Sequence, residues 1–240
     1  MPAVAEITPR SSLPAGQAIA GRRPARGTVK DILSQQPLRK LEPHEHLFHE
    51  GDRERNIYSI ERGLVRLYKL LKDGRRQIIS FRYAGDVLGS DTLSEQYCSA
   101  EAVTEVTLRS LPREAAQRKM TEEPGLTSEL FDLLSQELAN TRSQITVLNR
   151  RSAIEKLAAF ILDLWRRQSA HLGGSDRVKL ELTRTDIADF LGLTIETVSR
   201  NLTKLHQRRI IDLPEVHTLV IRDPVRLEEL AAGECVDWQP

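Results

Sequence analysis

Cysteine is scarce. Cys98 and Cys235 are the only two in 240 residues, and they form no C-x-x-C pair. A zinc ribbon or a cysteine-ligated iron–sulfur cluster therefore lacks its ligands within one chain. A disulfide framework has no basis either, which leaves a reducing, cytoplasmic setting as the default. No apolar run approaches the roughly eighteen residues a membrane span needs. The opening stretch "MPAVAEITPRSSLPAGQAIAGRRPARGTVK" lacks the continuous apolar core of a signal peptide. No Gly-rich strand-to-helix motif is present, against a dinucleotide or P-loop fold. No nucleophile–base set, paired carboxylates in a glycine-framed cleft or metal-ligand spacing occurs, so neither an enzyme nor a metal site is expected. Net charge is also nearly absent: 35 Lys and Arg against 34 Asp and Glu leave +1. Any polyanion must be bound by a local patch.

What is there is 40% hydrophobic and 29% charged residues, the make-up of a soluble globular chain long enough for two ordinary domains or one large one. Residues 1–27, rich in Ala, Pro, Gly and Arg, read as a flexible extension. Its Arg22, Arg23 and Arg26 either touch nucleic acid or belong to a solvated tail. From about Leu41 to Leu111 the runs "HLFHEGD", "NIYSIERGLVRLYKLL", "DGRRQIISFRYAGDVLG" and "AVTEVTLRSL" read as short strands. Turns such as Gly51-Asp52 and Asp73-Gly74 separate them, which suggests a sandwich or barrel-like roll.

From about Thr127 to Arg150 the period becomes helical. Phe131, Leu134, Leu138, Thr141, Ile145 and Leu148 recur by three and four, an a/d seam. Such a helix buries its seam against a second copy, as the dimer interface of a homodimer, or against its own domain. From Ser152 comes an amphipathic helix in "AIEKLAAFILDLWRRQ", a Gly-Gly loop, a strand in "VKLEL" and two short helices. The last part, "RIIDLPEVHTLVIRD", reads as two strands about a Pro214-Glu215 turn. That order is a winged helix-turn-helix.

The two short helices carry the chemistry, in "TRTDIADFLGLTIETVSRNLTKLHQR". Thr183 or Thr185 caps the first, with Ile187, Ala188 and Leu191 inward, and Gly192 permits the sharp turn. Thr194 caps the second, where Thr197 is too short to complete a capping box. Val198, Leu202 and Leu205 point inward, while Ile195, Glu196, Ser199 and Arg200 share the opposite arc. An arc in the first turns of a recognition helix meets base edges in the major groove of double-stranded DNA. Arg donates two parallel hydrogen bonds to guanine, and Glu accepts from the cytosine amine. Asn201, Lys204, Arg208 and Arg209 supply polar and positive groups for phosphates, with Thr183, Thr194 and Thr197 at the helix starts.

The stretch "TRTDIADFLGLTIETVSRNLTKL" resembles the DNA-binding motif of the CRP/FNR family of bacterial transcription regulators, and the resemblance runs from about residue 30 to about 230. It implies an α+β chain: a cyclic-nucleotide-binding-like β-roll at 28–120, a dimerisation helix at 121–150, a winged helix-turn-helix at 151–230 and a tail at 231–240. It further implies that Glu196, Ser199 and Arg200 read half-sites similar to TTGAT. Ile195 stands where another branch has a base-reading arginine. Two half-sites four base pairs apart then fit a twofold dimer. RNA polymerase contacts are implied for the loop Lys72, Asp73, Gly74 and Arg75 and for the loop "RQSAHLGGSDR".

The family's cyclic-AMP cassette corresponds here to Gly89, Ser90, Asp91 and to Cys98, Ser99, Ala100, with Cys98 in place of the phosphate-binding arginine. Loss of that charge removes a cyclic nucleotide's main anchor. The oxygen-sensing branch holds a cluster on cysteines, most of them N-terminal, and this chain has none before Cys98. The chain is therefore similar to the FixK-like branch, which lacks those cysteines, and no cofactor is expected. His44, His46 and His49 keep a haem- or ligand-gated regulator open as the alternative. Cys98, with no cation among its sequence neighbours, reads as a small packed residue.

Overall fold

The computed structural model describes residues 28–53, 55–89, 95–150, 152–172 and 175–234. The expected extension at 1–27, Ser90 and Asp91 of the cassette, and Cys235 with the end of the tail lie outside the described residues. In chain order the elements are α1 (Val29–Ser34), β1 (Leu38–Leu41), β2 (His46–Phe48), β3 (Asn56–Arg62), β4 (Leu64–Leu70), β5 (Arg76–Tyr83), β6 (Val87–Leu88), β7 (Ser99–Ala102) and β8 (Val106–Pro112). There follow α2 (Arg113–Glu122), α3 (Pro124–Leu148), α4 (Ala153–Leu172), β9 (Arg177–Lys179), α5 (Arg184–Leu191), α6 (Ile195–Gln207), β10 (Ile211–Glu215), β11 (Thr218–Ile221) and α7 (Pro224–Ala232).

The first eight strands form two antiparallel sheets, ordered β1-β8-β3-β6 and β2-β7-β4-β5. Side chains alternate across each strand, so one set from each sheet meets in between. Leu41, Phe48, Tyr58, Ile60, Val65, Leu67, Leu108 and Cys98 bury there, the packed role expected of that cysteine. The tight link between β3 and β4 turns on Gly63, at φ 95°. A Cβ there would press on the backbone of Glu105 and Val106, so the close strand approach itself demands glycine.

Glu123, at φ −126° and ψ 91°, separates α2 from α3. Proline disfavours α geometry in the residue before it and is at home in the first helical turn, so the helix stops and restarts at Pro124. Residues 121–122, expected in the dimerisation helix, therefore belong to α2. α1, α2 and the start of α3 close one end of the roll over Val29, Ile32, Leu33, Ile57, Leu111, Ala116 and Leu126.

The C-terminal part packs α4, α5, α6 and α7 against a three-stranded sheet ordered β10-β11-β9. Its hairpin turn is Val216-His217, two residues beyond the expected Pro214-Glu215. Pro214 is accommodated because β10 is an edge strand and its register slips between Asp212 and Glu215. α7 runs to Ala232 with Leu227, Leu230 and Ala231 buried, so the folded part passes the expected limit at 230. The core of this part also takes in Leu64, Tyr68, Ile78 and Phe81 of the roll. Phe190 of α5 stands 5.2 Å from the Phe81 ring and 5.5 Å from that of Phe160.

Candidate nucleic-acid interface

Two capped helices joined by a left-handed glycine build the site. Thr183 accepts a hydrogen bond from the Asp186 amide at 3.0 Å, and the Asp186 carboxylate accepts from the Thr183 amide at 3.1 Å. This reciprocal box satisfies amides that the first turn of α5 would otherwise leave bare. Gly192 ends α5 at φ 65° and its N–H donates to the Ala188 carbonyl, which turns the chain sharply into α6. Thr194 caps α6 by accepting from the Thr197 amide at 3.2 Å. Val198, Leu202 and Leu205 bury beneath α6, and Ile187, Ala188 and Leu191 beneath α5.

The outer arc of α6 is presented as the spacing predicts. Glu196 and Arg200 are exposed, Ile195 is 43% exposed and Ser199 is half-buried. Among the described residues no ion pair within 4.0 Å joins Glu196 to Arg200, four positions apart though they are. Glu196 is held below the usual carboxylate range by its own backbone N–H, by the Thr194 hydroxyl, and by the charge of Arg200. It is thus a committed acceptor beside a committed donor, at the helix end where the dipole favours negative charge. Such a pair can address complementary groups on an edge outside the protein.

The structure revises the expected phosphate set. Asn201 is only 8% exposed, because three residues after Val198 and four before Leu205 it turns under the helix. Its side chain is not presented to a phosphate. The Thr183 hydroxyl donates to Asp186 at 2.6 Å, so its proton is already committed. The hydroxyls of Thr194 and Thr197 lie 3.0 Å apart, and since the Thr194 hydroxyl also donates to the Glu196 carboxylate, both protons are engaged at the helix start. Lys204 is half-buried and Arg208 is exposed at the C-cap of α6. Arg184, exposed in the first turn of α5, was not expected. The motif "TRTD" carries it, beside the threonine that caps the helix.

Behind α5 lies an ionic cluster that sequence reasoning missed. Arg66 of β4 donates to Asp186 Oδ1 at 2.8 Å, and Arg76 of β5 reaches the same oxygen at 3.0 Å. Arg76 also donates to Asp189 at 2.8 Å, and Gln77 to the Asp189 carbonyl at 2.7 Å. Arg66 further pairs with Glu101 of β7. Asp186 is 1% exposed. A charge so buried is held only when paired and hydrogen-bonded, and here both carboxylate oxygens are taken.

α3 divides its expected seam. Phe131, Leu138 and Ile145, seven apart, are 70%, 51% and 53% exposed on one edge. Leu134 and Thr141 line a cavity of about 280 Å³ enclosed by the roll, α3, α4 and α5, and Leu148 is half-buried. Cys98 and Gly89 also line this cavity, and two arginines reach it, Arg82 from β5 and Arg167 from α4. Arg82 pairs with Glu137 of α3, while its Nε and the Ser80 hydroxyl are buried without a partner. None of the three candidate histidines lines it. His44 sits in a turn at φ 69° and not on the strand, and its ring meets Glu101 at 3.2 Å. His46 meets the Tyr68 hydroxyl at 2.9 Å and stacks on His49. Among the described residues no group of three or more His, Cys, Asp or Glu could hold a metal. No described helix is long and apolar enough to cross a membrane.

At the tip of the β4–β5 hairpin, Gly74 at φ 82° turns the loop and Asp73 pairs with Arg75 at 2.7 Å, leaving Lys72 exposed beside them. This is the loop expected to meet RNA polymerase.

Comparison with known proteins agrees with this geometry. Residues 155–230 match the family described as Crp-like helix-turn-helix domain, and residues 38–123 the cyclic nucleotide-binding domain. The chain is 43% identical over 190 residues to the nitrogen fixation regulation protein FixK of Bradyrhizobium diazoefficiens, covering 79% of each. It is 42% identical over 192 residues to the transcriptional activatory protein AadR of Rhodopseudomonas palustris, covering 80% of each. Among solved structures, FixK2 from Bradyrhizobium japonicum aligns with a TM-score of 0.76 and 32% identity, over 81% of this chain and 96% of that one.

Proposed function

The chain belongs to the CRP/FNR family of transcription regulators, and from that premise we propose that it is a homodimeric activator of microaerobic, respiratory or nitrogen-fixation genes. It binds palindromes of the form TTGAT, four base pairs, ATCAA, in the cytoplasm, without an obligatory small effector. The observation that carries this reading is the exposed Glu196–Arg200 pair, set in the first turns of a capped helix and not closed on itself. Arg200 donates to guanine and Glu196 accepts from cytosine, with Ser199 between them and Ile195 against the base edges. Phosphates are met by Lys204 and Arg208. Phe131, Leu138 and Ile145 face the same residues of a second copy. The Lys72–Arg75 turn meets RNA polymerase.

Binding of the ligand-free protein to that palindrome, against scrambled DNA at fixed salt, tests the reading. Arg200→Ala costs about 1–3 kcal/mol on the palindrome, a loss of roughly 5- to 150-fold, and little on scrambled DNA. Lys204→Ala weakens both alike. Equal losses on both DNAs for Arg200→Ala would remove the base-reading assignment.

A second reading, an effector-gated regulator, is favoured by the cavity with its unpartnered Ser80 hydroxyl and Arg82 Nε. At about 280 Å³ it falls just short of the usual range of small-molecule sites, which begins at roughly 300 Å³. An absorption spectrum of the protein that binds DNA, with a ligand screen of the protein that does not, separates the two.

A further inference from the structure

Two kinds of contact join the roll to the helix-turn-helix. The apolar kind, Leu64, Ile78 and Phe81 against Phe160 and Phe190, is adhesive but nearly indifferent to rotation about the contact. The ionic kind is directional. Guanidinium forks from two adjacent strands converge on one carboxylate oxygen of Asp186, in the first turn of α5, and Arg76 takes Asp189 about one turn later. The other Asp186 oxygen holds the Thr183 cap. Arg66 is itself fixed by two bonds to Glu101, and Glu101 by His44. α5 is thereby pinned at two points along its axis, and α6 follows it through the Gly192 turn.

We propose that Arg66 and Arg76 are positioning residues for DNA binding: by clamping Asp186 and Asp189 they set the angle of the recognition helix relative to α3, and so the half-site spacing that the dimer accepts. This rests on the palindrome reading above. A dimer joined through α3 presents two recognition helices, and each added base pair moves the second half-site by about 3.4 Å and rotates it by about 35°. A loosely hung unit tolerates that change. A clamped one does not.

The test uses the full-length chain in two paired variants, each of which removes charges of both signs. Arg66→Met with Glu101→Gln removes the buried arm, and Arg76→Met with Asp189→Asn removes the arm at the partly exposed edge. Binding is measured on TTGAT palindromes with spacers of three, four, five and six base pairs, and on a single half-site. In the same variants, spin labels at Asp73→Cys and Thr203→Cys, in a background lacking the native cysteines and diluted with unlabelled chain, report the distance between roll and recognition helix without DNA. The proposal expects discrimination among spacers to fall about tenfold while half-site affinity stays within about twofold. The label distances broaden. Spacer discrimination within twofold of wild type and unchanged distances would overturn it. So would tighter binding on every spacer, which would make the contact inhibitory. Failure of wild type on all TTGAT duplexes refutes the half-site, and the label distances then still decide the clamp.

Discussion

Leu138→Asp tests whether the exposed edge of α3 is the dimer seam. Leu138 retains 51% of its surface, and Ile145 and Phe131 more. Full burial of such a side chain contributes about 1.5–3 kcal/mol, so covering the remaining half of Leu138 contributes about 1 kcal/mol per protomer and about 2 per dimer. Two aspartates facing each other across a twofold axis lose that and must also be desolvated beside their own charge, which at least doubles the cost. A total of about 4 kcal/mol raises the dimer dissociation constant roughly a thousandfold. Leu138→Met, which conserves volume, costs under about 1.5 kcal/mol and serves as the control. Sedimentation across a micromolar concentration series reads the constant directly. A parallel titration reads the consequence: the palindrome loses its advantage over a single half-site. If Leu138→Asp sediments as a dimer with wild-type affinity, the edge formed by Phe131, Leu138 and Ile145 is not the seam, and the spacing of those residues has another cause.

Three further outcomes follow from local geometry. Gly63→Ala combines a φ of 95° with pressure on the Glu105–Val106 backbone, with the Val106 Cα 2.9 Å from the new Cβ, so it should cost more than the roughly 1–2 kcal/mol of left-handed strain alone, read as a drop in thermal midpoint. An unchanged midpoint would mean the β3–β4 link is not as tight as described. Thr194→Ala removes the cap of α6 and should cost about 1 kcal/mol of stability, with weaker binding to all DNA sequences, whereas Thr194→Ser should restore both. For Glu196 the carboxyl of the folded protein is depressed below its ordinary value, so it stays ionised at and above that value and takes up a proton only at lower pH. The wild-type to Glu196→Gln affinity ratio on the palindrome should therefore stay flat from about pH 8 down to about pH 5. A ratio that changes across that range would show a carboxyl titrating where this geometry says it does not.

The helix-turn-helix was legible because everything that specifies it is local. Thr183 with Asp186, Gly192, and Thr194 with Thr197 lie within three or four residues of what they cap or turn, and the inward sets follow from helical spacing. Asn201 was misjudged through its neighbour in sequence: a step of about 100° from exposed Arg200 carries it toward Val198 and Leu205. The hairpin turn was misplaced because proline was read as a corner, although an edge strand also accepts it. The α3 seam was legible as apolar spacing, but the spacing is silent on which residues meet the roll, and Leu134 does. Least legible was Arg66 with Asp186. The two are 120 residues apart, and nothing near either announces the other. Arg82 likewise enters the cavity from a strand where alternation alone marks it as one more polar residue.

The continuous core that runs from Leu64, Tyr68, Ile78 and Phe81 into α4 and α5 bears on how such a chain can change over generations. Its two halves cannot be traded separately. A recombinant that joins a foreign C-terminal half to this roll would set unmatched apolar faces against each other and take from Arg66 and Arg76 their partners on α5. Descent must then remodel both faces together. The roll is likewise not spare: deleting it would bare one wall of the unit that remains. Substitution in the roll should be least tolerated at the residues that pack with Phe160 and Phe190, Phe81 first among them.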